Sequence, residues 1–206
     1  MNKQVYYLIG AYGCGKTSTV RKISEERDDI HPILEDGIIL DFMKTENIYL
    51  RSCVYLPIYM YRIKEAIEKT DKPIILTDGH PMVSMFYLKC FFEMESGLTV
   101  DIRDLMYFGR LHNNLVRQMD RMFLENPQTI IHVELPYAKH WDMVLNRLKE
   151  EDERYFTEEA DEYYLRSIRR VFSDHARIYA EEMYHAAYIK VDNLEIIKNL
   201  IRKGDD

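Results

Sequence analysis

The chain has 206 residues, with 28 Lys+Arg against 35 Asp+Glu for a formal charge of −7, and is 47% hydrophobic and 31% charged. That length and composition suit one globular domain with a full core and exclude a disordered or fibrous chain. A cationic surplus for nucleic-acid phosphates is missing, and no run nears the roughly 18 apolar residues of a membrane span.

In chain order, short apolar runs alternate with long amphipathic ones. Val5–Ile9 predicts a strand that follows the polar MNKQ directly, without the architecture of a cleavable signal, so a cytoplasmic location is expected. Next comes Gly10-Ala11-Tyr12-Gly13-Cys14-Gly15-Lys16-Thr17, which satisfies G-x-x-x-x-G-K-[ST] in full, with Ser18 behind it and a helical pattern over Lys16–Arg27. The glycines let successive N–H groups curl toward phosphate oxygens, and the helix start adds its positive end. Lys16 suits the β- and γ-phosphates, and the Thr17 hydroxyl suits Mg²⁺. The strand–loop–helix context makes this a nucleotide-phosphate site.

A second strand is expected at Ile33–Leu34, with Glu35 at its end, nineteen residues beyond Lys16. Glu35 reads either as a turn carboxylate beside Asp36-Gly37 or as a base at a strand's carboxyl end. Ile48–Lys69 has helical spacing and carries Tyr55 and Tyr59, one turn apart, and Arg62. The tyrosines suit either a core or a stack on a base, and Arg62 either a surface ion pair or a site. A third strand over Pro73–Thr77 runs into Asp78-Gly79-His80-Pro81, where Asp78 is either a turn residue or a Mg²⁺ or phosphate partner.

Helices are expected over Met82–Glu95 and Ile102–Leu124, then a strand over Thr129–Val133 that ends at Glu134-Leu135-Pro136. Helices over Lys139–Glu150 and Asp161–His185 and a fifth strand over Ala187–Val191 complete the chain. Between those two helices, Lys149–Glu162 holds two basic and eight acidic residues, so the rest of the chain carries 26 against 27. A solvated acidic helix face is the default for such a run, with Glu150 and Arg154 as i,i+4 partners. Cys14, Cys53 and Cys90 are odd in number and far apart, which indicates neither disulfides nor a CxxC metal site. His132 and His140 lack ligand spacing and read as incidental.

Strands alternating with helices imply an α/β fold, a parallel sheet covered on both faces. Ligands of such sheets sit at the carboxyl ends of strands, where Gly10, Glu35, Asp78 and Glu134 fall. There is no NKxD-type guanine-reading motif, and the chain is too short for most helicase architectures.

On the P-loop, Glu35, Asp78-Gly79-His80-Pro81, Met60-Tyr61-Arg62-Ile63-Lys64 and Glu162–Phe172 (EYYLRSIRRVF), the chain resembles the deoxyribonucleoside kinase family. Herpesvirus thymidine kinases belong to that family, thymidylate kinases are near relatives, and the resemblance runs from Gln4 to about Asn193. It implies a single P-loop kinase domain, a three-layer sandwich over a five-stranded sheet, with a helical lid at about 147–161. It further implies ATP- and Mg²⁺-dependent phosphoryl transfer to the 5′-hydroxyl of a nucleoside in nucleotide salvage. By resemblance Glu35 is the general base, Asp78 joins Thr17 at Mg²⁺, and Arg62 is a base-side or carboxylate-holding arginine. Arg147 and Arg154 would close over the transferred phosphoryl group from the lid, and Tyr55 and Tyr59 would contact the nucleoside. The partners implied are a small-molecule nucleoside or nucleotide and a second copy of the chain, docked through the long helices 48–69 and 102–124. Neither a nucleic acid nor a membrane is implied.

Three positions depart from that family's pattern. Gly79 stands where an arginine is usual, Tyr55 where a base-reading glutamine is usual, and in 147–154 four carboxylates face three cations. Tyrosine offers one hydroxyl in place of a two-point amide pairing. Two other readings stay open: a nucleoside monophosphate kinase, which needs further cations and so has Gly79 and the acidic lid against it, and a nucleotide-binding pseudokinase, which the same departures support.

Overall fold

The five apolar runs become the strands β1 (Gln4–Ile9), β2 (Ile30–Ile33), β3 (Ile74–Thr77), β4 (Gln128–Val133) and β5 (Ala187–Val191). This is a computed structural model, and it describes residues 2–34, 48–97, 125–150 and 161–201. Among these residues one sheet forms, with every pairing parallel and the order β2-β3-β1-β4-β5. β1 is central, and Val5–Ile9 are buried throughout. A strand covered on both faces must be apolar at odd and even positions alike, which is why VYYLI reads as a continuous run.

The pleat sends Val5, Tyr7 and Ile9 into one layer and Tyr6 and Leu8 into the other. Among the described residues, five helices of ten or more residues flank the sheet: α1 (Lys16–Glu25), α2 (Ile48–Lys69), α3 (Val83–Ser96), α4 (Tyr137–Glu150) and α5 (Glu162–Ile178). The first layer receives Met60 and Ile63 of α2, Phe86 of α3, and Ile168 and Phe172 of α5. Phe86 meets Phe172 edge-on, with ring centroids 4.9 Å apart. The second layer receives Val20 and Ile23 of α1, with Ile197 and Ile201 near the end of the described chain. Full burial of each such side chain contributes about 1.5–3 kcal/mol.

Most boundaries coincide with the sequence expectation or differ by one or two residues, and two differ by more. β2 starts at Ile30, ahead of the expected Ile33–Leu34. His31 and Pro32 break the apolar pattern, but β2 is an edge strand, where a proline costs no ladder bond on the outer side. The last long helix ends at Ile178 and passes into a π-helical turn over Tyr179–Met183, short of the expected His185. Tyr184 N–H closes that turn on the Tyr179 carbonyl at 3.2 Å, and the wider turn sets the Tyr184 ring against His80, with centroids 4.6 Å apart. α5 also begins one residue late because Asp161 acts as its cap, accepting from Tyr163 N–H at 2.7 Å.

The register aligns Tyr7 with Thr77 and Ile9 with His132, so β1, β3 and β4 end close together. No helix among the described residues is long and apolar enough to cross a membrane. Glu35, Arg154, the expected helix 102–124 and residues 151–160 of the lid segment lie outside the described residues.

Candidate active site

The phosphate loop leaves β1 at Gly10, whose φ is 148°. A Cβ there would lie 2.5 Å from the Val133 carbonyl oxygen at the end of β4, so only glycine lets the loop start this close to the neighbouring strand. Gly15, at φ 84°, makes the left-handed step that turns the loop into α1. The first turn of α1 contains no acidic residue, so its positive end is uncompensated and suited to an anion. Lys16 curls over the loop: its Nζ donates to the Gly10 and Ala11 carbonyls at 2.9 Å each and reaches Cys14 Sγ at 3.5 Å. The ammonium is thereby held at the mouth of the loop.

Asp78 follows β3 and is almost completely buried. Its Oδ2 accepts from Thr17 Oγ1 at 2.6 Å, joining residues 61 apart in sequence. A hydroxyl and a carboxylate in contact form a hard-oxygen pair of the kind Mg²⁺ prefers, so these two residues fit that ion. The neighbouring glycines and Lys16 fit the phosphates of a nucleotide. One turn on, the Thr77 hydroxyl bonds the Gly79 backbone, donating to its carbonyl at 3.2 Å and accepting its N–H at 3.4 Å.

The backbone at Gly79 leaves little room for a side chain. A Cβ at this position would lie 2.6 Å from Tyr59 Oη and 2.7 Å from Tyr59 Cζ. Tyr59, from α2 and only 4% exposed, lays its ring on the Gly79 backbone and takes the space in which any longer side chain would start. His80 is buried with its ring between Tyr7 and Tyr184, at centroid distances of 4.4 and 4.6 Å. Its Nδ1 accepts the Met82 N–H at 3.0 Å, and burial pushes its pKa down to about 3, so it is neutral. Burial, reinforced by Tyr184, raises the Tyr7 phenol well above its ordinary value.

Arg62 is half-buried, and its Nη1 donates to the Leu34 carbonyl at 2.5 Å. It therefore ties α2 to the residue just before Glu35. Tyr55 lies on α2, with its side chain outside the described set. Arg147 lies in the last turn of α4. A cleft of about 480 Å³ opens at the β2 edge between His31, Leu34, Arg62 and Lys69, but no residue of the phosphate loop lines it.

Two residues matter more than their sequence context suggests. His140, expected to be incidental, is buried in α4, and its Nε2 donates to the carbonyl of Tyr12 in the phosphate loop at 2.7 Å. Arg169 of α5 donates from Nη1 to His140 Nδ1 at 2.6 Å and from Nη2 to the Leu135 carbonyl at 2.9 Å. Burial, with help from Arg169 and Lys16, pushes the His140 pKa down to about 4. His132, at the end of β4, bonds Tyr188 Oη at 2.7 Å, and burial pushes it to about 4 as well. Among the described residues no group of three His, Cys, Asp or Glu side chains could hold a metal ion. A lone histidine on a helix carries no signal that it will meet a loop 128 residues away.

No protein-family model matches the chain. In sequence it is 33% identical over 102 residues to the adenylate kinase of Nautilia profundicola, a match that covers 45% of this chain and 53% of that protein, about half its length. In structure it is similar to deoxyadenosine kinase from M. mycoides. The form with bound dATP matches at a TM-score of 0.62 and 17% identity, covering 96% of this chain and 97% of that one. The form with bound dCTP matches at a TM-score of 0.61 and 14% identity, covering 96% of each chain. The form with the products dCMP and a flexible dCDP matches at 0.61 and 15% over the same shares. The chain thus has the P-loop α/β fold of a deoxynucleoside kinase along nearly its whole length.

Proposed function

We propose that this protein transfers a phosphoryl group from ATP to the 5′-hydroxyl of a deoxynucleoside or nucleoside. The observation that carries the reading is the complete phosphate loop with Thr17 bonded to Asp78, set in a fold shared with a deoxyadenosine kinase. Gly10–Ser18 bind the donor phosphates, and Lys16 neutralises charge on the transferring group. Thr17 and Asp78 would hold Mg²⁺, which would supply positive charge against the donor phosphates. Glu35 takes the proton of the acceptor hydroxyl, and Arg62 fixes the chain just before it. Tyr55 and Tyr59 would contact the nucleoside, and Arg147 and Arg154 would supply the cations of the lid. The enzyme works as a cytoplasmic homodimer in nucleotide salvage.

The partial match to an adenylate kinase favours a second reading, with a nucleoside monophosphate as acceptor. That acceptor brings its own charge and calls for a further cation, whereas Tyr59 covers Gly79 where an arginine would reach in. A neutral acceptor fits this better. Incubation of purified protein with ATP–Mg²⁺ and a panel of nucleosides and monophosphates decides between them. Turnover of at least one nucleoside is expected, with Lys16→Ala and Glu35→Gln each losing on the order of 10³ in kcat. Turnover of monophosphates alone would replace the reading with the second. Tight ATP binding without any turnover would leave a pseudokinase.

A further inference from the structure

His140 is bonded at both ring nitrogens, and its partners leave one arrangement of protons. The Tyr12 carbonyl can only accept and the Arg169 guanidinium can only donate, so Nε2 bears the hydrogen and Nδ1 the lone pair. A ring held this way is a rigid spacer between an arginine of α5 and a carbonyl of the phosphate loop.

The same loop residue is gripped from its other end. The Tyr12 ring stacks on Tyr164 of α5, with centroids 5.3 Å apart and planes 16° from parallel. Tyr164 stacks in turn on Phe91 of α3 at 5.1 Å and 17°. Tyr12 thus has its carbonyl fixed by α4 and its side chain by α5. It sits at a variable position of the motif, between Gly10 and Gly13, both of which have positive φ. A loop with that much backbone freedom needs an external restraint to stay in one shape.

We propose that His140 is a positioning residue for the nucleotide donor. It holds the Tyr12 carbonyl so that the phosphate loop keeps its binding shape, and Arg169 holds His140 in the ring orientation that this requires. The assignment rests on the nucleotide reading above and adds to it a restraint from outside the motif. The restraint acts on donor phosphates and leaves the acceptor side alone.

The test compares ADP affinity by titration calorimetry with KM for ATP and for the acceptor. His140→Gln can place an amide N–H near the position of Nε2, whereas His140→Asn can only supply an acceptor near Nδ1. The ADP Kd and the ATP KM are expected to rise about tenfold in His140→Asn and His140→Leu, the loss of about one hydrogen bond. They should stay within about threefold of wild type in His140→Gln and rise about threefold in Arg169→Met. Acceptor KM should move less than about twofold throughout, and Arg170→Met, an exposed neighbour, should match wild type. Equal ADP affinity across the series, a Gln variant as weak as the Leu variant, or a parallel rise in acceptor KM would each overturn the assignment while leaving the nucleotide reading intact. Failure of the wild type itself to bind ADP would overturn both. If His140→Leu does not fold, His140→Gln and Arg169→Met decide the matter alone.

Discussion

The donor half and the acceptor half of the candidate site are built in different ways. The donor half is mostly backbone: glycines, amide groups and a helix start within eight consecutive residues, closed by one long-range bond from Thr17 to Asp78. The proposed acceptor half is side chains from different parts of the chain, with Tyr59 and Arg62 on α2 and Glu35 beyond β2. Phosphate is recognised by a chain conformation, and a conformation leaves a contiguous signature. A nucleoside is recognised by shape and hydrogen-bonding pattern, and these come from residues with no fixed spacing.

The largest effect should come from removing the Asp78 charge that closes the donor half. Asp78→Asn keeps the shape but removes the charge beside Thr17, and kcat should fall on the order of 10²–10³ with KM for the nucleoside little changed. An equal rise in nucleoside KM would show that the halves are not separable. Gly79→Arg should strike the acceptor side instead. Its Cβ would meet the Tyr59 ring at under 3 Å, so overpacking should cost about 1–3 kcal/mol of stability in denaturant unfolding. Tyr59→Ser should relieve part of that cost, and a double-mutant cycle measures the coupling. Additive effects would mean the ring does not oppose a larger residue there.

The smallest effect per step is acid sensitivity. His80, His132 and His140 are held neutral in the folded protein, with pKa values of about 3, 4 and 4. Above about pH 7.5 both folded and unfolded chains leave them essentially uncharged, so they contribute little pH dependence there. As pH falls below that value the unfolded chain takes up protons that the folded chain refuses, and stability declines. The slope is about 1.4 kcal/mol per pH unit per histidine, ending near pH 4 for His132 and His140 and near pH 3 for His80. Urea unfolding at pH 7, 6 and 5 checks this, and His140→Gln should make the slope shallower by about one third. An unchanged slope would mean that His140 titrates normally in the fold.

Legibility from sequence follows the same division. The strand–loop–helix and its phosphate role are legible because they are local, and β1, β3 and β4 are legible because burial on both faces makes them largely apolar. β2 is displaced by Pro32, whose tolerance depends on its lying at a sheet edge, a fact of topology. The packing of Tyr59 on Gly79 is invisible because the two residues are 20 positions apart and neither type predicts the other. His140 and Arg169 are hidden for the same reason: their chemistry is a hydrogen-bond chain across three elements.

Pro32 also limits how the molecule can assemble. The carbonyls of Asp29, just before β2, and of Ile33 accept from the N–H groups of Ile74 and of Asp78, just after β3, so odd-numbered residues direct their backbone groups inward and Pro32 lies on the outward side. A strand from another copy approaching that edge would find no N–H at Pro32 and would leave its own carbonyl unanswered. Growth of the sheet from one molecule into the next is blocked on this side by a single ring. Self-association that leaves the fold intact is thereby steered away from the β2 edge.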